Sequence, residues 1–191
     1  SPPFQRIEST WSPPESAVSR IATARKQSAM LDGKFLEFWD HTLLKPVASL
    51  ELPAAQFVVF SPNERLLLAG SPERAGTLVD AVSHSVLAAI GTGTRKVYQG
   101  AFSPDSRHIF AGDGGGKLQT WDLEGVLENT LLGHRGPIYT VQTWMVENGG
   151  MMAASAGEDK VLRLWPRAFW DSRLLFLQQA VSEDKTYLNE D

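Results

Sequence analysis

The chain has 191 residues, 42% of them apolar and 21% charged, with a formal net charge of −4. That length argues for one domain with enough apolar mass for a packed core, and the acidic balance gives no general pull toward nucleic acid or an anionic membrane surface. No apolar run approaches the ~20 residues of a membrane-spanning helix, and without Cys the chain has no disulfide, thiolate nucleophile or Cys-based zinc site.

Residues 1–16 contain Pro2-Pro3 and Pro13-Pro14. Proline fixes φ and removes a backbone donor, so residues 1–17 read as an extended arm. Phe4 and Trp11 are apolar rings in that polar arm, and are candidate partner contacts. The first residue is Ser1, so the chain is expected to be a processed or truncated piece.

The segment 18–52 starts with Val18 to Ala22, passes through Ser28 to Leu31, turns at Asp32-Gly33 and continues from Phe35 to Trp39. Asp-Gly between two strand-like runs is a hairpin signal, because both central residues adopt positive φ. Pro46 to Leu50 follows as an outer strand. The segment 53–92 repeats the plan with Phe57 to Phe60, a turn at Ser61-Pro62-Asn63-Glu64, Leu66 to Ala69, Thr77 to Asp80 and Val86 to Ile90. Proline sets φ at the second turn position. In 93–132, Phe102-Ser103-Pro104 restates the motif, His108 to Ala111 and Lys117 to Trp121 flank the turn Gly114-Gly115-Gly116, and Val126 to Leu132 is the fourth strand.

The segment 133–178 opens with Gly133-His134 and offers Ile138 to Thr143, Met152 to Ser155 and Val161 to Trp165 as strands, with Leu174 to Gln178 as the outer one. Only Arg163 breaks the apolar run 161–165, which suits a strand buried on both faces between stacked sheets. Residues 179–191 form an acidic tail.

Trp39-Asp40, Val79-Asp80, Trp121-Asp122 and Trp165-Pro166 fall at one point of each segment. Self-similarity at roughly 40–45 residues is the signature of four-stranded propeller blades. The fold class expected is therefore all-β, with about four blades of four antiparallel strands.

These residues resemble the WD-repeat (WD40-type) family of β-propellers. The resemblance covers roughly residues 18–178. It is strongest at 133–165, where Gly-His precedes Ser-Ala-Gly-Glu-Asp-Lys-Val-Leu-Arg-Leu-Trp. In that family a His, a Ser, a turn Asp and a Trp form a hydrogen-bonded tetrad, which the resemblance places at His134, Ser155, Asp159 and Trp165. Pro166 replaces the family's final Asp. The other blades depart from the pattern: Ala111 and Gly115 precede Trp121, Ala29 and Gly33 precede Trp39, and Val79 stands in place of a Trp. They are expected to rely on apolar stacking. WD-type blades usually close larger rings, so the chain is expected to be part of a larger or partner-completed propeller.

Other chemistry is weaker. Ser155, His134 and Asp159 could mimic a hydrolytic triad, but no Gly-x-Ser-x-Gly elbow is present. Gly112 to Lys117 lacks the Gly-Lys-Ser/Thr ending of a phosphate loop and reads as a hairpin turn. His41, His84, His108 and His134 recur along the chain but at different blade positions, which argues against a metal site. Arg20, Arg25, Lys26 and Lys34 form a modest basic cluster best read as solvated strand edges.

The function expected is a non-enzymatic protein–protein interaction scaffold, a WD-repeat-like subunit of a multiprotein complex inside the cell, in cytoplasm or nucleus, with import into an organelle also open. It needs no cofactor, metal or small-molecule substrate, does not insert into membranes, and does not take nucleic acid as its direct ligand. Arg135, Trp144 and Trp170 join Phe4 and Trp11 as candidate partner contacts. The alternative is a recognition module that binds a short peptide, modified residue or RNA at the propeller face.

Overall fold

A computed structural model describes residues 20–32, 34–52, 55–71, 74–92, 96–147 and 149–171. Its strands form four separate antiparallel sheets. The first contains β1 (Arg20–Thr23), β2 (Gln27–Leu31), β3 (Phe35–Asp40) and β4 (Lys45–Glu51). The second contains β5 (Phe57–Phe60), β6 (Leu66–Ser71), β7 (Arg74–Asp80) and β8 (Val86–Thr92). The third contains β9 (Val97–Phe102), β10 (Ile109–Asp113), β11 (Leu118–Trp121) and β12 (Leu127–Leu131). The fourth contains β13 (Ile138–Met145), β14 (Met151–Gly157) and β15 (Leu162–Pro166), followed by a single 3₁₀ turn, Arg167–Phe169. The outer strand expected at Leu174 to Gln178 lies outside the described residues, as do the arm and the tail.

Local chemistry explains why the chain turns where it does. Ser61 Oγ donates to Asn63 Oδ1 at 2.7 Å and accepts from the Leu66 amide at 3.0 Å. Ser103 Oγ makes the matching bonds, to Asp105 Oδ1 at 2.5 Å and from the His108 amide at 2.9 Å. Such side chain–backbone bonds compete with strand pairing and stop the ladder. Glu64 and Ser106 close these two turns, each at φ 60°. The turns leading to the outer strands are built on the recurring Asp. Asp40 Oδ1 accepts from the Thr42 and Leu43 amides at 2.7 and 2.8 Å. Asp80 accepts from Val82 and Ser83 at 2.8 and 2.7 Å, and Asp122 from Glu124 and Val126 at 3.1 and 2.7 Å. The Leu43 and Thr42 amides hold the Asp40 carboxyl below its usual value, and those of Ser83 and Val82 do the same for Asp80.

The repeat is also visible in the ladders. The third-to-fourth-strand register shifts between Phe38 and Trp39, between Leu78 and Val79, and between Thr120 and Trp121. Trp39, Val79 and Trp121 are thus equivalent, each at the same bulge. Trp165 sits at the corresponding height, opposite Ala153.

Consecutive sheets stack face to face. Ala29, Leu31, Leu36 and Phe38 of the first meet Leu67, Ala69 and Val79 of the second. Leu68, Leu78 and Ile90 of the second meet Phe102, Ile109 and Trp121 of the third. Phe110 and Leu118 of the third meet Ile138, Val141 and Ala153 of the fourth. Among the described residues four sheets therefore share three apolar cores. The inner strands β1, β5, β9 and β13 lie against one another in series, which is blade packing around a centre.

Candidate functional site

The polar centre of the fourth blade is assembled from three places. His134 lies between β12 and β13, Ser155 is in the middle of β14, and Asp159 is in the β14–β15 turn. The His134 ring bonds Asp159 Oδ1 through Nδ1 at 2.8 Å and Ser155 Oγ through Nε2 at 2.9 Å. Trp165 Nε1 donates to Ser155 Oγ at 2.9 Å. A consistent proton assignment runs from the indole N–H to Ser155, from the Ser155 hydroxyl to Nε2, and from Nδ1–H to the carboxylate. Asp159 Oδ2 also accepts from the Arg135 amide at 3.1 Å and from Arg163 Nη1 at 2.9 Å. Burial is the largest influence on the Asp159 carboxyl and raises its pKa. The His134 ring, the Arg135 and Val161 amides and the Arg163 guanidinium outweigh it, and hold the carboxyl well below the usual carboxylate range.

This geometry does not suit hydrolysis. Ser155 is 1% exposed, and its oxygen already accepts from the indole while its proton faces His134. A nucleophile needs an open side for the substrate carbonyl, and this hydroxyl has none.

Comparison with known proteins bears on the same stretch of chain. The WD domain, G-beta repeat family model (WD40) matches residues 125–166. Residues 125–166 are a WD40 repeat. Ribosome biogenesis protein YTM1 from Saccharomyces cerevisiae is 40% identical over 75 residues, covering 39% of this chain and 15% of the relative. YTM1 from Candida glabrata is 38% identical over 63 residues, 33% of this chain and 13% of the relative. YTM1 from Vanderwaltozyma polyspora is 35% identical over 80 residues, 42% of this chain and 16% of the relative. The matched stretch thus spans about one seventh of the length of these relatives. Among solved structures, the crystal structure of the computationally designed Ika4 protein superposes with a TM-score of 0.67 over 80% of this chain and 92% of its own, at 16% identity. That likeness speaks for the fold alone.

The WD40 repeat and its neighbours place the expected contact residues unequally. Arg135 and Trp144 are exposed, Trp144 by 38%. Trp170 is not a surface contact: it is 0% exposed. Its ring packs edge-on against Phe110 at 5.0 Å and His108 at 5.5 Å. Its indole donates to the Trp165 carbonyl at 3.1 Å, and its own carbonyl accepts from Asn129 Nδ2 at 2.8 Å. The 3₁₀ turn folds this ring back between the third and fourth blades, where apolar area is removed from water. Phe4 and Trp11 lie outside the described residues.

The blades without a WD40 tetrad use other polar devices. In the first, Ser28 Oγ meets His41 Nε2 at 2.8 Å, one residue along the strand from Ala29. In the third, Asp113 Oδ1 accepts from the Gly115 and Lys117 amides, both at 2.8 Å. An aspartate thus builds that turn from its first position rather than from Gly115. His108 Nδ1 reaches Glu128 Oε2 at 2.6 Å beside Trp170. Sequence spacing could have suggested the Asp113 turn, since Asp-Gly is a turn signal. The His108–Glu128 pair joins β12 to the residue before β10 and has no local signature. No group of three or more metal-ligating side chains gathers among the described residues. No helix among them is long and apolar enough to cross a membrane.

The outward face of the WD40 blade differs from its counterparts. In the third strands of the other blades, Leu36 and Phe38 are 0% exposed, Leu78 1% and Leu118 0%. In β15, Leu162 is 65% and Leu164 55% exposed. Their cross-strand neighbours Ala156 and Ala154 lead on to β13, where Trp144 stands opposite Met152. The expectation that this strand is buried on both faces is thus corrected: one face packs on the third blade, and among the described residues nothing stacks on the other. At the centre, residues from all four inner strands line a pocket of about 360 Å³, including Arg20, Val58, Val59, Tyr98, Gln99 and Tyr139.

Proposed function

We propose that this chain is a non-enzymatic protein–protein interaction scaffold, a WD-repeat subunit of a multiprotein complex that serves ribosome biogenesis in the nucleus. The observation that carries the reading is the open apolar face of the fourth blade. Leu162 and Leu164 occupy positions that stacking buries in the blades before it, Trp144 lies on the same face of the sheet, and contiguous exposed apolar area marks an interaction surface. The occupant that fits is another antiparallel blade with an apolar face, because that is what covers the matching faces of the first three. His134, Ser155, Asp159 and Trp165 then act as structural glue, holding β14, β15 and the β12–β13 connection rigid behind the contact face. The process is taken from the YTM1 relatives, whose name assigns them to ribosome biogenesis.

The test is a native mass measurement of the tagged full chain recovered from its source. A mass above the 21.0 kDa of the chain by at least one protein subunit is expected, as is co-sedimentation with ribosome precursors. Recovery as a folded 21.0 kDa monomer would overturn the scaffold reading. Recovery with a bound short ligand in place of subunits would favour the recognition module, a second reading to which the central pocket lends weight.

A further inference from the structure

The loops beside the His134 centre form a surface in which charge is sorted by depth. Gly116 of the β10–β11 turn packs against the His134 and Gly136 carbonyls. The Glu158 amide of the β14–β15 turn donates to the Pro137 carbonyl at 2.9 Å. The two turns and the β12–β13 connection therefore lie side by side at one end of the third and fourth blades. Their aspartates face inward. Asp113 is 5% exposed, and its Oδ1 accepts from the Gly115 and Lys117 amides. Asp159 is held by His134, the Arg135 amide and Arg163. The cations face outward. Lys117, Arg135 and Lys160 are exposed, and none forms an ion pair among the described residues. Glu158 is the one exposed carboxylate in these loops. Asp40, Glu64, Asp80, Asp105 and Asp122 lie in or beside turns at the opposite ends of the sheets, so the net charge of −4 averages over a cationic end.

We propose that this end of the third and fourth blades binds the sugar–phosphate backbone of a duplex RNA, with Lys117, Arg135 and Lys160 each reaching a phosphate. Phosphate contacts need cations in register and nothing more. An acidic protein segment fits less well, because protein contacts are anchored by large side chains in desolvated pockets. Residues 113–117, 133–137 and 157–160 carry no exposed large apolar side chain; Leu132 and Val161 lie just beyond them. Their one aromatic ring is the buried His134, so the splayed bases of a single strand find no stacking platform. A duplex, read through its backbone and shape, needs none. The proposal rests on the ribosome-biogenesis reading only in taking the polyanion to be RNA.

Fluorescence anisotropy on the full chain with a labelled RNA duplex of about 16 base pairs tests it. The comparators are a DNA duplex of the same sequence, an RNA duplex of permuted sequence and hexaglutamate. Both RNA duplexes are expected to bind alike, and hexaglutamate not to bind. The logarithm of the association constant is expected to fall with the logarithm of salt at a slope of roughly 2–3. Lys117→Gln, Arg135→Gln or Lys160→Gln should each reduce that slope by about 1 with an unchanged melting temperature. The three replaced together by Glu should weaken binding about ten-fold or more. Lys45→Gln, at the opposite end of the first sheet, should leave it unchanged. No duplex binding, a tighter hold on the DNA duplex or on hexaglutamate, a strong preference between the two RNA sequences, or equal losses from Lys45→Gln would each overturn the proposal. If that happens while the native assembly keeps its mass, the RNA site fails and the scaffold stands. A monomeric mass with duplex binding intact removes the scaffold instead.

Discussion

His134 is held at both ring nitrogens, by Asp159 at 2.8 Å and by Ser155 at 2.9 Å. Truncation leaves a buried hydroxyl and a carboxylate each one partner short. We expect His134→Ala to cost about 1–3 kcal/mol, which in a chain of this size lowers the melting temperature by roughly 2–4 °C for each kcal/mol. An unchanged melting temperature in a thermal scan contradicts the glue role. Asp159 adds a pH signature. Its folded pKa lies below its unfolded value, so the ionised form is the one folding favours. That contribution is fully present above the ordinary carboxylate range of about 4 and is lost as pH falls through the folded value. Asp40 and Asp80, whose carboxyls are lowered by turn amides, act with the same sign. Denaturant titrations from pH 6 downward are expected to show stability falling below about pH 4, with a shallower fall in Asp159→Asn. A slope unaltered by that substitution means the carboxylate is not coupled to folding.

At the scale of elements, the third-blade hairpin is tied to the next blade through Gly116. This residue has φ +82°, and a Cβ placed on it would lie 2.5 Å from the His134 carbonyl oxygen and 2.9 Å from that of Gly136. Gly116→Ala therefore combines an unfavourable backbone conformation with a clash against rigid backbone, and is expected to cost about 1–3 kcal/mol in chemical denaturation. A neutral result would mean the β10–β11 turn and the β12–β13 connection move independently. Turns like this one were legible in advance because their chemistry is local: Ser-Pro-Asn/Asp names its own conformation within four residues. Asp-Gly located the first hairpin but not its conformation, since Asp32 lacks the expected positive φ and opens the turn by accepting from the Phe35 amide at 3.0 Å, and Gly33 lies outside the described residues. The strands were legible because a pleated ladder needs only short apolar runs between such turns. The His134 centre was legible for a different reason, its resemblance to a known motif. Trp170 was not, because its burial depends on Phe110 and His108, some sixty residues earlier in the chain. Nor was the exposure of Leu162 and Leu164, since an apolar third strand looks the same whether or not another sheet covers it.

For the molecule as a whole, the decisive feature is the mismatch between four blades and three shared cores among the described residues. A stacked array loses at each end the burial that its interior blades enjoy, and Leu162 at 65% and Leu164 at 55% exposure mark where that loss falls on the fourth blade. Charging this face separates folding from assembly. In the isolated chain Leu162→Glu with Leu164→Glu alters side chains already in water, so each change is expected to stay within about 0.5 kcal/mol of neutral. Leu118→Ala, at the covered counterpart on the third blade, is expected to cost about 2–5 kcal/mol. In the native assembly the order reverses: the charged pair places two carboxylates where an apolar partner sheet docks, a desolvation that no contact there repays. The recovered mass should then drop to that of the chain alone while its melting curve stays that of the parent. An assembly that keeps its mass with both glutamates in place means the partner docks elsewhere on the molecule.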